Sequence, residues 1–172
     1  MPVEINGLPA HVLLVHVVIV LLPLAALMLV LSAVWPAARA RLGVLTPLVA
    51  LVALVFVPIT THAGEWLRNH LQGNEGQLNP LIARHAQLGH TLLPWAIGVF
   101  VLAAAVWGLG RRFELVWRRT GGAHRGERPA LPPWVTAVLA VLAIAVSAGA
   151  LIQLYRIGDS GAKAVWLGRT TG

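Results

Sequence analysis

The sequence predicts an all-α integral membrane protein, in which a single domain, residues 1–172, forms an up-down bundle of four transmembrane helices. The first observation is composition: 58% of the residues are hydrophobic and only 11% are charged, whereas a soluble domain carries about 25% charged residues. The mean hydropathy is accordingly high, at +0.77. The second observation is length, because four apolar stretches each reach the roughly 20 residues that span a bilayer. They cover about residues 9–34, 43–64, 81–109 and 132–155.

Proline and asparagine residues mark the ends of these helices. Pro9, Pro80 and Pro132 suit the first turn of a helix, where a missing N–H breaks no hydrogen bond. Asn79 suits the N-cap of the third helix, because its side chain can accept a hydrogen bond from a free backbone N–H. Pro36 ends the first helix. Short connections therefore separate the helices.

Arginine residues predict the orientation of the bundle. Arg39 and Arg41 follow the first helix, whereas the connection between the second and third helices balances its arginines with glutamates. The connection after the third helix is the most basic, with Arg111, Arg112, Arg118, Arg119, Arg125 and Arg128. The positive-inside rule places both basic connections in the cytoplasm and both termini outside a bacterial cytoplasmic membrane. The net charge of +7 is thus interpreted as a topology signal, and no nucleic-acid partner is expected.

The tail after the fourth helix, residues 156–172, is expected on the outer side of the membrane. Gly158 and Gly161 permit a tight turn. Asp159, Ser160 and Lys163 could then fold back over the outer end of the bundle. The sequence therefore predicts a cap above any site at that end.

Composition excludes several classes of site. Because the chain has no cysteine, it cannot form a disulfide, a thiolate zinc site, an iron–sulfur cluster or a thioether-linked haem. It also lacks a Walker loop, a Rossmann glycine pattern and a Gly-x-Ser-x-Gly motif. We find no tandem repeat in the sequence. These features favour an electron-transfer or accessory subunit over a stand-alone enzyme, with the lipid bilayer and a redox protein or larger membrane complex as partners.

Five histidines crowd the predicted outer ends of the helices, and ionisable rings in such places mark sites by default. Neutral imidazole is the commonest protein ligand of iron, zinc and copper. His16, His62 and His90 each lie 20 residues from the cytoplasmic ends of their helices, which is about 30 Å at 1.5 Å per residue. His11 and His85 form a second layer roughly 7.5 Å further out.

The spacing of the histidines favours haem b. The first and third helices both carry two histidines five residues apart, and five residues turn a helix by about 140°, so one ring of each pair points inward. In an up-down bundle these two helices are diagonal neighbours. Inward histidines on diagonal helices could bind a haem from both faces, with His16 paired to His85 or His90 and with His62 nearby. The expected function is therefore a cytochrome-like electron-transfer subunit with its site at the outer face.

Two alternatives stay open. His16, His62 and His90, with His85 and His11 as further candidates, could form a zinc or copper site with an open position for chemistry. The protein could also be a structural subunit of a larger membrane complex, in which the histidines only donate hydrogen bonds. His70 and His124 are interpreted as loop residues outside any site.

Four stretches of the chain resemble a bacterial membrane family, domain of unknown function 2231. They are residues 6–16, residues 60–66 around His62, residues 85–89 and the tail segment 156–166. The resemblance implies a membrane protein without a settled function; some relatives carry Rieske-type iron–sulfur domains, which implies a redox setting. The family motif supports His16 and His85, whereas the depth argument pairs His16 with His90. Both pairings stay open.

Overall fold

The all-α prediction is confirmed by a computed structural model, which describes residues 4–5, 8–75, 80–119 and 131–166. A two-residue antiparallel strand pair, which the sequence did not predict, precedes the helices: β1 is Glu4–Ile5 and β2 is Leu8–Pro9. Within these described ranges six helices follow, and four segments are long and apolar enough to cross a membrane. The helices are α1 Ala10–Val34, α2 Pro36–Leu42, α3 Leu45–Glu75, α4 Pro80–His90, α5 Leu93–Arg119 and α6 Pro133–Trp166.

The long helices form a four-membered ring. Helix α1 packs mainly against α3 and α6, and α5 packs mainly against the same two helices. Contacts between α1 and α5 are fewer, as expected for helices on a diagonal. The predicted diagonal placement of the first and third transmembrane segments is therefore confirmed. We call the end of the bundle that holds His11 and His85 the histidine end, and the opposite end the arginine end.

Two helices run further than the sequence predicted. The second segment was expected to end at residue 64 and continues as α3 to Glu75. The fourth was expected to end at residue 155, but α6 continues to Trp166, so the predicted turn at Gly158 and Gly161 is wrong. Lys163 Nζ lies 2.7 Å from Asp159 Oδ2, an i,i+4 ion pair that supports the helix across these glycines. The tail thus reaches the histidine end by extending the helix.

The third segment is broken, whereas the sequence predicted one helix over 81–109. Helix α4 ends at His90 and α5 begins at Leu93. Pro94 explains the break, because it has no N–H to donate to the carbonyl of His90. The hydroxyl of Thr91, in the break, accepts a hydrogen bond from the Gln153 amide of α6. Asn79, the predicted N-cap, lies outside the described residues.

The arginine end is closely packed. A buried apolar cluster extends from this end past the middle of the bundle and consists of small and medium side chains: Ala25, Leu29, Ala33, Ala50, Val99, Ala103, Val106, Leu139, Ala143 and Ala150. Arg39 of α2 donates hydrogen bonds to the carbonyls of Ser32 (2.8 Å) and Ala33 (3.0 Å). These carbonyls belong to the last turn of α1, where no helical partner is available. The arginine end is therefore closed by both packing and hydrogen bonds.

Candidate cofactor site at the histidine end

Two half-buried histidines meet at the histidine end. The ring centres of His11 on α1 and His85 on α4 are 6.3 Å apart, with the ring planes at 79°. These are the two residues that the depth argument placed in one outer layer. Because α1 and the α4–α5 segment lie on a diagonal, the pair spans the interior of the bundle.

Each ring is held by a backbone carbonyl of a neighbouring helix. Nδ1 of His11 donates to the Thr60 carbonyl of α3 at 2.9 Å. Nδ1 of His85 donates to the Ile157 carbonyl of α6 at 3.2 Å and to the Ser160 hydroxyl at 3.0 Å. Since a carbonyl oxygen can only accept, the hydrogen of each neutral ring sits on Nδ1 and the lone pair on Nε2. Both Nε2 atoms are therefore available as metal ligands.

A glycine stands beside each ring, four residues after the carbonyl that holds it. A Cβ added at Gly64 would lie 2.8 Å from Cε1 of His11, and one added at Gly161 would lie 3.0 Å from Cε1 of His85. In an α-helix the carbonyl of residue i faces the N–H of residue i+4, so a side chain there would block the ring's approach. We call a carbonyl at i with a glycine at i+4 the carbonyl–glycine motif.

The carbonyl–glycine motif makes the two halves of the bundle alike. The first half, α1–α3, holds His11 with Thr60 and Gly64; the second half, α4–α6, holds His85 with Ile157 and Gly161 in the same way. Each half also begins with the pattern His-x-x-Leu-x-His. The match is one of contacts rather than of continuous sequence, which is why no tandem repeat was visible along the chain.

A cleft of about 490 Å³ opens beside the pair. Most of its wall is apolar, and helices α1, α3, α4 and α6 all contribute to it. Its charged wall residues are Glu65 and Arg68, one helical turn apart on α3. The cleft therefore combines an apolar body with two imidazole rings and a charged margin.

The other predicted histidines take different positions. His16 lines the cleft but is exposed, and its Nδ1 lies 2.6 Å from the carbonyl of Val12 in its own helix. His62 is exposed, with Nδ1 3.1 Å from the Pro58 carbonyl, also in its own helix.

His90 points to α3 instead of joining His16. Its Nε2 lies 3.0 Å from Oε1 of Glu65. Within the described ranges, no three side chains among His, Asp and Glu are grouped so as to hold a metal ion. The structure thus brings His11 and His85 together but does not gather His16, His62 and His90.

Sequence reasoning missed the residues that hold the rings. Thr60 and Ile157 contribute only their carbonyls, so their side chains carried no chemical signal. Gly161 was expected to be a turn residue, and no carbonyl was paired with it or with Gly64. The sequence did carry one signal, because both halves contain the pattern His-x-x-Leu-x-His. In each half a glycine of a later helix, Gly64 of α3 or Gly161 of α6, lies beside the first histidine of that pattern.

Comparison with known proteins gives a family. A family model described as "Predicted membrane protein (DUF2231)" matches residues 7–171. No curated protein and no solved structure matches the chain. The matched region includes both histidines and both carbonyl–glycine motifs.

Proposed function

The chain belongs to the DUF2231 family of predicted membrane proteins, and we propose that it is a b-type haem-binding electron-transfer subunit whose ligands are His11 and His85. One observation carries the proposal. The two facing imidazoles each donate Nδ1–H to a backbone carbonyl, and metal-ligating histidines almost always donate their second N–H in this way. That hydrogen bond orients the ring and makes Nε2 a better ligand.

The separation of the rings suits one metal ion between them. The ring centres of His11 and His85 are 6.3 Å apart, so one metal ion could lie within reach of both rings. These two residues would hold the iron of a haem, and within the described residues no third His, Asp or Glu side chain is grouped with them. A set of two histidines supports a haem better than a three-histidine zinc or copper site.

The cleft supports an apolar cofactor of haem size. Its volume of about 490 Å³ falls within the roughly 300–1,000 Å³ of cofactor clefts. Arg68, on the wall, could pair with a carboxylate at the edge of such a molecule. A bound haem would supply one-electron chemistry, while the apolar wall would limit the access of water.

Absorption spectroscopy tests the proposal. Protein purified from haem-replete cells, or reconstituted with haemin, should show a Soret band that His11→Ala and His85→Ala remove. His62→Ala serves as the matched control and should keep the band, because His62 is exposed, is hydrogen-bonded within its own helix and does not line the cleft. Absence of a Soret band from the reconstituted wild-type protein would overturn the proposal.

One observation favours a second candidate, a structural subunit of a larger complex. His11 and His85 both link helices through their Nδ1 hydrogen bonds, so each ring could serve to fasten the bundle. An Asn side chain can place an N–H near the position of Nδ1 but offers no imidazole ligand. If the structural role is right, His85→Ala lowers the thermal stability and the assembly with the partner, and His85→Asn restores both. The stability of the wild type and of each variant is then the same with and without added haemin.

The proposal includes an orientation, with the histidine end outside the bacterial cytoplasmic membrane, where it would meet a redox partner. The exposed residues Asn69 and Arg112 lie toward opposite ends of the bundle, and the chain has no native cysteine. A membrane-impermeant maleimide should label Asn69→Cys in intact spheroplasts and Arg112→Cys only after permeabilisation. The reverse pattern would overturn the orientation.

A further inference from the structure

A second, smaller cleft of about 120 Å³ lies between α4 and α6. Unlike the histidine cleft, its wall is rich in charged side chains. It is lined by Leu81, Arg84, Leu88, Tyr155, Arg156, Asp159, Ser160 and Lys163. These residues lie at helical spacing on each helix, so the cleft is a groove between two packed elements.

The groove carries an excess of positive charge. Lys163 is neutralised by Asp159, with Nζ and Oδ2 2.7 Å apart. Arg84 and Arg156 are exposed, and within the part of the chain that the structure describes neither guanidinium has a hydrogen bond or an ion pair. Arg84 and Arg156 line one groove, and neither guanidinium is paired with the groove's carboxylate, Asp159, which pairs with Lys163. Such a pair matches an oxyanion, because arginine binds phosphate with two parallel hydrogen bonds.

The groove lies at the depth of lipid headgroups. Tyr155 follows the start of α6 at Pro133 by about 33 Å, at 1.5 Å per residue, whereas the hydrocarbon core is about 30 Å thick. Below the groove, toward the membrane centre, Leu151 and Ile152 are 40% and 60% exposed. A lipid with its phosphate in the groove would thus have its acyl chains against this exposed apolar surface.

We propose that the groove between α4 and α6 binds the phosphate of an anionic phospholipid, with Arg84 and Arg156 as the phosphate ligands. The exposed apolar residues below the groove argue for a lipid rather than free phosphate. Ser160 belongs both to this groove and to the contact that holds His85, so the lipid would lie next to the anchored ring. The site does not depend on whether a haem is bound.

Lipid titration followed by native mass spectrometry tests this site. The full-length protein, delipidated in neutral detergent, is titrated with phosphatidylglycerol or phosphatidylcholine. Replacing both arginines (Arg84→Gln with Arg156→Gln) should weaken phosphatidylglycerol binding by roughly 30-fold, since each cation near the surface contributes about a fivefold change. The control pair, Arg41→Gln with Arg112→Gln, changes the net charge equally at two exposed arginines outside the groove and should bind as the wild type does.

A gain-of-binding variant separates a lost site from a misfolded protein. Asp159→Asn removes the carboxylate from the groove and should tighten phosphatidylglycerol binding by roughly fivefold. Equal affinity for the two lipids, unchanged binding by the double arginine variant, or no gain from Asp159→Asn would overturn the proposal. Displacement of the lipid by millimolar inorganic phosphate would overturn its assignment to a lipid.

Discussion

The two halves of the bundle hold their histidines by the same motif but with different degrees of support. In the first half, His11 contacts main-chain atoms of a continuous α3. In the second half, His85 has an additional hydroxyl partner, Ser160, and its helix ends five residues later at a break. Both halves share the carbonyl–glycine motif, so this motif alone is sufficient to position a histidine ring. The Ser160 hydroxyl and the helix break are found in the second half in addition to the motif.

The largest expected effect comes from filling the space beside each ring. Gly64→Ala puts a Cβ 2.8 Å from His11, and Gly161→Ala puts one 3.0 Å from His85. Under the proposed haem binding, loss of the groups that orient a ligating histidine costs about 10–100-fold in metal affinity. We therefore expect haem affinity to fall about 100-fold in Gly64→Ala and about 10-fold in Gly161→Ala. Haem titration followed at the Soret band measures both.

The neighbouring glycine of α6 provides the control for this pair. Gly158 has open space where its Cβ would be, so Gly158→Ala should leave haem affinity unchanged. Equal effects of alanine at Gly158 and at Gly161 would show that helix stiffness, and not the space beside His85, sets the affinity.

A smaller effect, on stability alone, is expected where α5 and α6 of the second half pack against each other. At Gly149 of α6 an added Cβ would overlap the ring of Trp95 on α5. Overpacking of this kind costs about 1–3 kcal/mol, so Gly149→Ala should lower the free energy of unfolding by that amount in a detergent denaturation experiment. Gly158→Ala should raise it by up to about 1 kcal/mol through helix propensity; a stabilising Gly149→Ala would contradict the packing at this position.

The smallest expected effect comes from removing the Ser160 hydroxyl while the Ile157 carbonyl still holds His85. Ser160→Ala removes one of two hydrogen-bond partners of His85, and a single neutral hydrogen bond is worth about 0.5–1.5 kcal/mol, so haem affinity should fall about threefold. Thr60→Val should have no effect on affinity, because His11 uses the carbonyl of Thr60 and the hydroxyl bonds to Phe56. A larger loss in Thr60→Val would mean that the first half also depends on a side chain.

The fold was largely predictable because its signals are strong and local. Apolar length defines four segments, and the arginines between them mark two of the connections. The extensions of α3 and α6 were not predictable from hydropathy, since residues 65–75 and 156–166 carry many polar side chains. Gly158 and Gly161 predicted a turn, because glycine usually marks one, but both lie within α6.

The site was predictable in residue type but not in pairing. Helical rise placed His11 and His85 at one depth, yet rise alone does not determine which way a ring points. The direction of each ring depends on a backbone carbonyl of α3 or α6. Because every residue has such a carbonyl, the sequence does not indicate which one accepts the hydrogen bond. His16, favoured at first, lies five residues from His11, so its ring occupies a different face of α1 and contacts the Val12 carbonyl.

Each half of the bundle holds one histidine ring by one carbonyl and one glycine, which is half of the proposed two-histidine site. A hairpin of about half this length would therefore build the complete site by associating with a second copy of itself about a two-fold axis. Joining the two hairpins in one chain removes the requirement that they be identical. Only in such a fused chain can one ring gain a hydroxyl partner and a groove beside it while the other ring keeps the simpler arrangement.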